Sequence, residues 1–579
     1  MGRGFFDRRE VPRFDRAFFR SRDAVMRIGD GELGGKARGL VLVRDLLAAE
    51  REAVGGGEIE IYLPTMAVLA TDVFDAFIAR NGLVELACSE RSDEQIAAAF
   101  LRADLPVEVA GDLRALVEEV REPLAIRSSS LLEDALFRPF AGVYATKMVP
   151  NNQPDPDIRF RRLAEAIKFV FASTWFRGAR EYHRAAGRAG DDEKMAVVIQ
   201  EVVGSGHVDR FYPNVSGVGR SYNFFPSSGA APEDGVVNLA LGLGKTIVDG
   251  GVSWIYSPAR PHAPAPFASV GDRMRQTQLE FWAVNVGPPP AYHPTEETEF
   301  LVKLDLAAAD YDDTLSPIAS TYDVTRDRLV AGTAIDGPRV VDFAPMLTDP
   351  GARYNDVIRT LLALGRDLLG QAVELEFAIK LARRASAEPA RFGVLQLRPM
   401  LVAEAEIDIT DDELSSPRLL LASKRVMGNG SIDSIRDVVY VRPDRFEARW
   451  SRQVAAQLER INRTLIDQSR PYLLIGFGRW GSSDPWLGVP VDWSQVSGAR
   501  VIVESSLAGM DVEPSQGAHF FHNLISFEVC YLCVRQVDWE WLERFHPVGE
   551  TELLRHVRLD QPLTVKVDGR RGRGGVWHR

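Results

Sequence analysis

Cysteine is nearly absent, with three residues in a chain of 579. That is too few for the disulfide framework of an extracellular scaffold, so a reducing compartment, the cytoplasm, is expected. Cys530 and Cys533 form a C-x-x-C inside FEVCYLCV. Their apolar neighbours and the lack of a second cysteine pair favour buried packing over zinc or redox work. Long apolar runs are also missing: nothing approaches the ~18 residues of a spanning helix. The N-terminus MGRGFFDRREVPRFDRAFFRSRD is charged throughout, without the apolar stretch of a secretory signal. Positive charge is in deficit, with a formal net charge of -12, which argues against nucleic acid or an anionic membrane as main partner. A P-loop is missing too. LALGLGKTIVDGG at 239–251 contains Gly-Lys-Thr, yet Leu239 stands where G-x-x-x-x-G-K-[ST] needs its first glycine. The segment reads as a glycine turn after a buried strand, with glycines that can still line a site.

What is present is the composition of an ordinary globular chain, 45% hydrophobic and 26% charged, long enough for about three or four domains. Helical periodicity runs through KARGLVLVRDLLAAEREA, YNDVIRTLLALGRDLLGQ and RFEARWSRQVAAQLERINRTL. Strand-like runs are PLAIRSS, MAVVIQEVV, GVVNLAL, VELEFAI and FGVLQLRPM, and then DVVYVRP, YLLIGFG, ARVIVES and LTVKVDG. The expected fold class is mixed α/β (α+β). The proline-rich stretch 259–296 reads as surface loop or subdomain connection. Acidic, polar AEAEIDITDDELSSP marks a boundary at 403–417, and the only compositionally biased segment is the Gly/Arg tail DGRRGRGGVWHR.

Three constellations carry chemistry. In GDGELGGKARGL, Gly34 and Gly35 lead into a helix that begins at Lys36; free N–H groups and a lysine there suit a phosphate, although two glycines before a helix also make a simple turn. In LAIRSSSLLEDALFRPFAGVYAT, a strand ends in Arg127, followed by serines and the acidic pair Glu133 and Asp134. The arginine fork suits phosphoryl oxygens, with an Arg–Glu ion pair and serine caps as the alternative, and the glycine of FAG at 140–142 lets backbone pass close to something. In VELEFAI, Glu374 and Glu376 sit two apart and face one side of a strand; Gln396 and Arg398 share a face of the next. Paired carboxylates in a core strand ask for a cation, for which Mg²⁺ is the oxygen-seeking choice.

In this order the motifs resemble the ATP-binding domain of the phosphoenolpyruvate synthase and pyruvate phosphate dikinase family. They are GGK at 34–36, IRSS at 126–129, ED at 133–134, FAG at 140–142, MAVVIQ at 195–200, GLGK at 242–245, ELE at 374–376 and LQLRP at 395–399. The resemblance spans roughly residues 22–402 and implies an ATP-grasp-type nucleotide-binding module followed by a smaller mixed α/β domain. The division it suggests is an arm at 1–21, the ATP-binding domain at 22–402, a linker at 403–417 and a C-terminal domain at 418–579. It implies that Lys36 and Arg127 touch ATP phosphates and that Glu374 and Glu376 hold Mg²⁺. Gln396 and Arg398 would orient the phosphoryl groups, and Gln200 and Glu201 would lie near the adenine. Lys245 stands where the family usually has Glu, a reversal of charge.

Members of that family pass a phosphoryl group from ATP to a histidine on a swivelling domain and then to pyruvate in a barrel of ~250 residues. The stretch after the ATP module is shorter than that, and the usual Gly-Gly-x-x-Ser-His-Ala-Ala loop is missing. Conversion of pyruvate to phosphoenolpyruvate by this chain alone is therefore not expected. The nearest acceptor is His519, in SQGAHFFHNLI, at a helix start whose amides can stabilise added charge; a buried structural histidine is the other reading. FGRWGSSDPWLG at 477–488 has the composition of a binding loop without an assignable ligand. The expected activity is an Mg-ATP-dependent phosphotransferase of the dikinase type, its acceptor its own histidine, a partner protein or a small molecule. The alternatives are a nucleotide-sensing regulatory protein and an ATP-grasp ligase.

Overall fold

A computed structural model describes residues 11–15, 25–50, 59–87, 89, 91–131, 133, 142–185, 193–226, 229–263, 269–349, 351, 353–382, 388–402, 407–506 and 518–579. Most of the expected arm at 1–21, together with Asp134, Phe140, Ala141 and Gly517, lies outside the described residues.

The fold is mixed α/β with several sheets. Two of them frame the site. The first runs Val25–Ile28, Met66–Leu69, Met195–Glu201, Leu124–Ser130, Thr146–Val149. The second runs Trp254–Tyr256, Val236–Ala240, Val215–Arg220, Val373–Lys380, Ala390–Pro399, Ile59–Tyr62. Both central strands, Met195–Glu201 and Val373–Lys380, are buried almost end to end; the first is a near-continuous apolar run, while the second alternates and buries charged side chains on one face.

Helix ends follow local chemistry. Asp155 caps the helix Pro156–Ser173 by accepting from the Asp157 amide, with proline in the first turn where its missing N–H costs nothing. Ser92 and Gln95 form a capping box on Asp93–Arg102. The expected helices appear as Gly34–Ala49, Tyr354–Leu369 and Ser451–Asp467.

One part of the sequence reading needs correction, and one segment singled out by composition alone proves to hold a strand. The proline-rich stretch 259–296 is not all loop: it holds the short helix Val270–Arg275 and the strand Glu280–Asn285, which pairs with Leu301–Asp305 and Arg210–Tyr212. The Gly/Arg tail is likewise ordered as the strand Arg573–Trp577, paired to Leu554–Asp568 and Leu419–Ser423. In both, pairing overrides weak local propensity: Glu280–Asn285 gains Arg210–Tyr212 from far up the chain, and the tail folds back on the preceding strand through the turn at 569–572.

Nine of the strands between Leu419 and Trp577 form one sheet, in which Asn429–Val441, Tyr472–Phe477, Ala499–Ser505 and Cys530–Val534 run parallel, while Arg479–Trp480 and Gly488–Val489 pair separately. Cys530 and Cys533 sit three apart on that strand and so point to opposite faces. Cys530 is buried in the core, where burial pushes its thiol up to about 12, while Cys533 faces Glu504; the two cannot converge on one metal. One cluster of buried side chains runs from Ile126 and Phe171, through Phe224 and Phe225, to Phe521, Leu474 and Trp480.

Candidate active site

The glycine turn seats a helix on the serine strand. Gly34 has φ +75°, and a Cβ there would lie 1.7 Å from the Ser129 carbonyl oxygen, so only glycine fits. The Ser129 hydroxyl donates to the Leu33 carbonyl at 2.8 Å and accepts from the Ala37 amide at 3.0 Å. Ser128 and Ser130 serve Glu133 instead, whose carboxylate accepts from the Ser128 hydroxyl and the Ser130 amide, each at 2.9 Å. Lys36 completes this knot, its Nζ 3.4 Å from Glu133. The acid of the second motif thus pairs with the lysine of the first and leaves Arg127 to reach elsewhere.

Arg127 spans the two sheets. Its Nη1 donates to the Leu395 carbonyl at 2.7 Å and to Gln200 Oε1 at 3.3 Å. Its Nη2 donates to Gln396 Oε1 at 2.8 Å and to Glu376 Oε2 at 3.1 Å. Glu376 and Gln396 are direct cross-strand partners, so their oxygens meet on one face of the second sheet.

One row along the same face, register places Glu374 between Arg220 and Arg398. Both guanidiniums bond its carboxylate, Arg398 Nε at 2.7 Å. Burial opposes its charge, yet the two arginines hold Glu374 far below the usual carboxylate range. The cation demanded by the carboxylate pair is therefore supplied largely by arginine.

Every site residue expected from sequence except Glu374 lines one cavity of about 270 Å³: Lys36, Arg127, Gln200, Glu201, Glu376, Gln396, Arg398 and His519. Glu374 is 1% exposed and lies behind it. Gln200 is 2% exposed, and its Nε2 has no hydrogen-bond partner, a donor left open in the cavity wall. Glu201 also lines the cavity, with burial raising its carboxyl.

His519 arrives from more than a hundred residues downstream. It opens the helix His519–Ser526, whose preceding residue Ala518 is extended and offers no side-chain cap; among the described residues no side chain caps the first amides of that helix, the end that suits an anion. The ring packs on Gly142, where a Cβ would come within 2.4 Å of His519 Nδ1, so the glycine of FAG makes room for the imidazole. Burial and the nearby Arg398 push His519 down to about 4, against the pull of Glu376, Asp249 and Glu374. The imidazole is neutral at pH 7, the form with a free lone pair. One turn on, His522 is wholly buried; neither ring nitrogen has a partner, and burial with Arg398 holds it far below its usual range.

The Gly-Lys-Thr segment is the turn its spacing implies, between strand Val236–Ala240 and the single helical turn Lys245–Val248. Lys245 lines the cavity, with Nζ 3.0 Å from Asp249 and 3.7 Å from Glu297. Burial opposes its charge, and these two acids more than offset it, raising its proton affinity. The lysine in the family's Glu position is thus met by acids that sequence reading missed. Arg220 was missed as well, because only strand register brings it to Glu374. FGRWGSSDPWLG packs against the turn at 249–250, where the Ser482 hydroxyl donates to the Gly250 carbonyl at 3.1 Å and the Ser483 amide to that of Asp249 at 2.9 Å.

Residues 31–261 match the family model of the pyruvate phosphate dikinase AMP/ATP-binding domain. No curated protein matches the chain. The matched AMP/ATP-binding stretch holds Lys36, Arg127, Gln200, Glu201 and Lys245; Glu376, Gln396, Arg398 and His519 lie beyond it but share the cavity. Among the described residues, no group of three or more His, Cys, Asp or Glu is placed to hold a metal ion. Glu376 and Gln396 are the oxygen donors that fit magnesium, which takes one or two protein ligands and completes its shell with water and substrate phosphates. No helix among the described residues is long and apolar enough to cross a membrane.

Proposed function

We propose that this protein is an Mg-ATP-dependent phosphotransferase of the dikinase type that transfers a phosphoryl group from ATP to His519. The observation that carries the reading is the convergence of a neutral histidine at a helix N-terminus with Arg127, Arg398, Glu376 and Gln396 in one cavity. Residues 22–402 act as an ATP-binding domain of ATP-grasp type and 418–579 as the histidine-bearing domain, in the cytoplasm.

Phosphoryl transfer depends on position and on neutralising phosphate charge. Arg127, Arg398 and Lys36 supply that charge, and Arg127 also aligns Glu376 with Gln396. Gln200 Nε2 meets a polar atom of the nucleotide, and Glu201 lies toward the adenine. Glu376 and Gln396 would hold magnesium, which neutralises charge on the phosphates when bound. The ring nitrogen of His519 attacks the β-phosphorus, and the bond from that phosphorus to the oxygen it shares with the α-phosphate breaks with its electron pair on that oxygen, leaving AMP. Water then attacks the γ-phosphorus and releases inorganic phosphate, so that one phosphoryl group stays on the ring. The helix amides at 519–521 then face the new negative charge.

The test is incubation of purified protein with Mg-ATP, separation of AMP from ADP, and assay of acid-labile protein phosphate in wild type, H519A and E376Q. AMP release with label that disappears in H519A is the expected result. Nucleotide bound but intact would favour a sensor, ADP without protein label would favour a kinase or ligase, and phosphoenolpyruvate formed from added pyruvate would overturn the partial-enzyme reading.

A further inference from the structure

The residues that carry His519 do not sit beside the ATP-binding half across a wet seam. They share its hydrophobic core. Phe521 packs edge-on against Phe224 and Phe225, with centroids 5.9 and 5.8 Å away, and Phe527 against Tyr182 at 5.0 Å. The Arg220 guanidinium lies over the Phe521 ring at 5.4 Å. Around these joints, Arg177 pairs with Glu459, and a Cβ on Gly250 would stand 3.0 Å from the Gly481 carbonyl oxygen, so the backbones nearly touch. Interfaces that let domains move are small and comparatively polar; this one would expose a set of aromatic rings if it opened.

We propose that the His519-bearing half is a fixed wall of the cavity and not a swinging carrier, and that the molecule taking the phosphoryl group from His519 is small and enters this same cavity after the nucleotide product leaves. The acceptor part rests on the phosphotransfer reading; the fixed wall does not. Lys245, Asp249 and Glu297 form a charged corner of the cavity apart from the Glu376 cluster, and Asp249 is near enough to act on the His519 charge. A lysine flanked by carboxylates offers a donor beside acceptors and suits a polar acceptor bearing a hydroxyl. In the second transfer the acceptor oxygen forms a bond to phosphorus. The P–N bond breaks with its electron pair returning to the ring nitrogen, which takes the acceptor's proton.

The experiment has two arms on the full chain. In the first, R177C/E459C is bridged by a short bismaleimide, with the single variants as controls, and hydrogen exchange of 519–526 is followed in wild type with and without Mg-ATP. Retention of wild-type labelling rate in the bridged protein, with 519–526 exchanging as slowly as the strand Val373–Lys380 in both states, is expected. A tenfold or greater loss of labelling on bridging, or a tenfold rise in exchange of 519–526 on adding nucleotide, would overturn the fixed wall. In the second arm, protein labelled from ATP is freed of nucleotide and exposed to the dialysable and the macromolecular fractions of a cell extract. Discharge by the dialysable fraction, in competition with added ATP, is expected; discharge by the macromolecular fraction alone would overturn the small acceptor. Absence of any label from ATP would count against phosphotransfer and with it the acceptor, while hydrogen exchange would still decide the wall.

Discussion

Glu374 and Glu376 lie two residues apart on one strand and point the same way, yet their surroundings give them opposite roles. The Glu374 row, Arg220–Glu374–Arg398, is closed: each carboxylate oxygen is taken by a guanidinium and the residue is 1% exposed. The Glu376 row is open: Val218 stands where Arg220 stands one row along, Gln396 replaces Arg398, and the carboxylate faces the cavity. Identical side chains at equivalent positions differ because the adjacent strand offers a cation to one and an apolar residue to the other. A buried carboxylate is tolerable only when paired. Glu374 meets that condition with two guanidiniums behind the cavity wall, whereas Glu376 meets it with Arg127 at 3.1 Å and, more loosely, Arg398 at 3.7 Å while still facing the cavity.

The comparison breaks most severely at Glu374. E374A leaves Arg220 buried without a counter-charge and Arg398 with the looser Glu376 contact at 3.7 Å, and a loss of about 3–5 kcal/mol is expected, read by urea denaturation. E376Q should cost less than half as much stability but lower nucleotide turnover by about 10²–10³-fold, the scale of a lost charge-stabilising group. If the two variants behaved alike in both assays, the division between rows would be wrong.

Acidification offers a finer test. The folded-state proton affinity of His519 is depressed to about 4, so its neutral form, and labelling by ATP, should persist as pH falls through ~6.5. The unfolded chain takes up that proton near ~6.5, so stability should decline between pH ~6.5 and ~4, at up to about 1.4 kcal/mol per pH unit for each histidine held neutral. H519A should show a shallower decline by urea titration across that window. The smallest expected effect is at Lys245: K245E gathers three carboxylates with Asp249 and Glu297 and should cost about 1 kcal/mol, while K245M costs less. An unchanged melting temperature in K245E would show that these acids do not depend on the lysine.

Much of the site was legible before folding because its motifs are local. GGK, IRSS, the E-x-E pair and LQLRP each occupy a few consecutive residues whose geometry follows from period-two strands or from a glycine turn. The strands and helices bearing them were legible too, since buried runs and helical periodicity survive in the order of residues. The strand Glu280–Asn285 and the tail strand Arg573–Trp577 were not, because proline, glycine and arginine give weak local signals and pairing with neighbouring strands makes them strands.

The sequence by itself determined which residues could form a phosphate site and that two carboxylates would share a strand face. Tertiary structure alone decided that Glu374 is sealed by Arg220 and Arg398 while Glu376 is not, since that choice depends on cross-strand register. It alone brought His519 against Gly142 and Glu297 to Lys245. Those contacts join residues tens to hundreds apart, and chain order carries no record of distances set by a shared core.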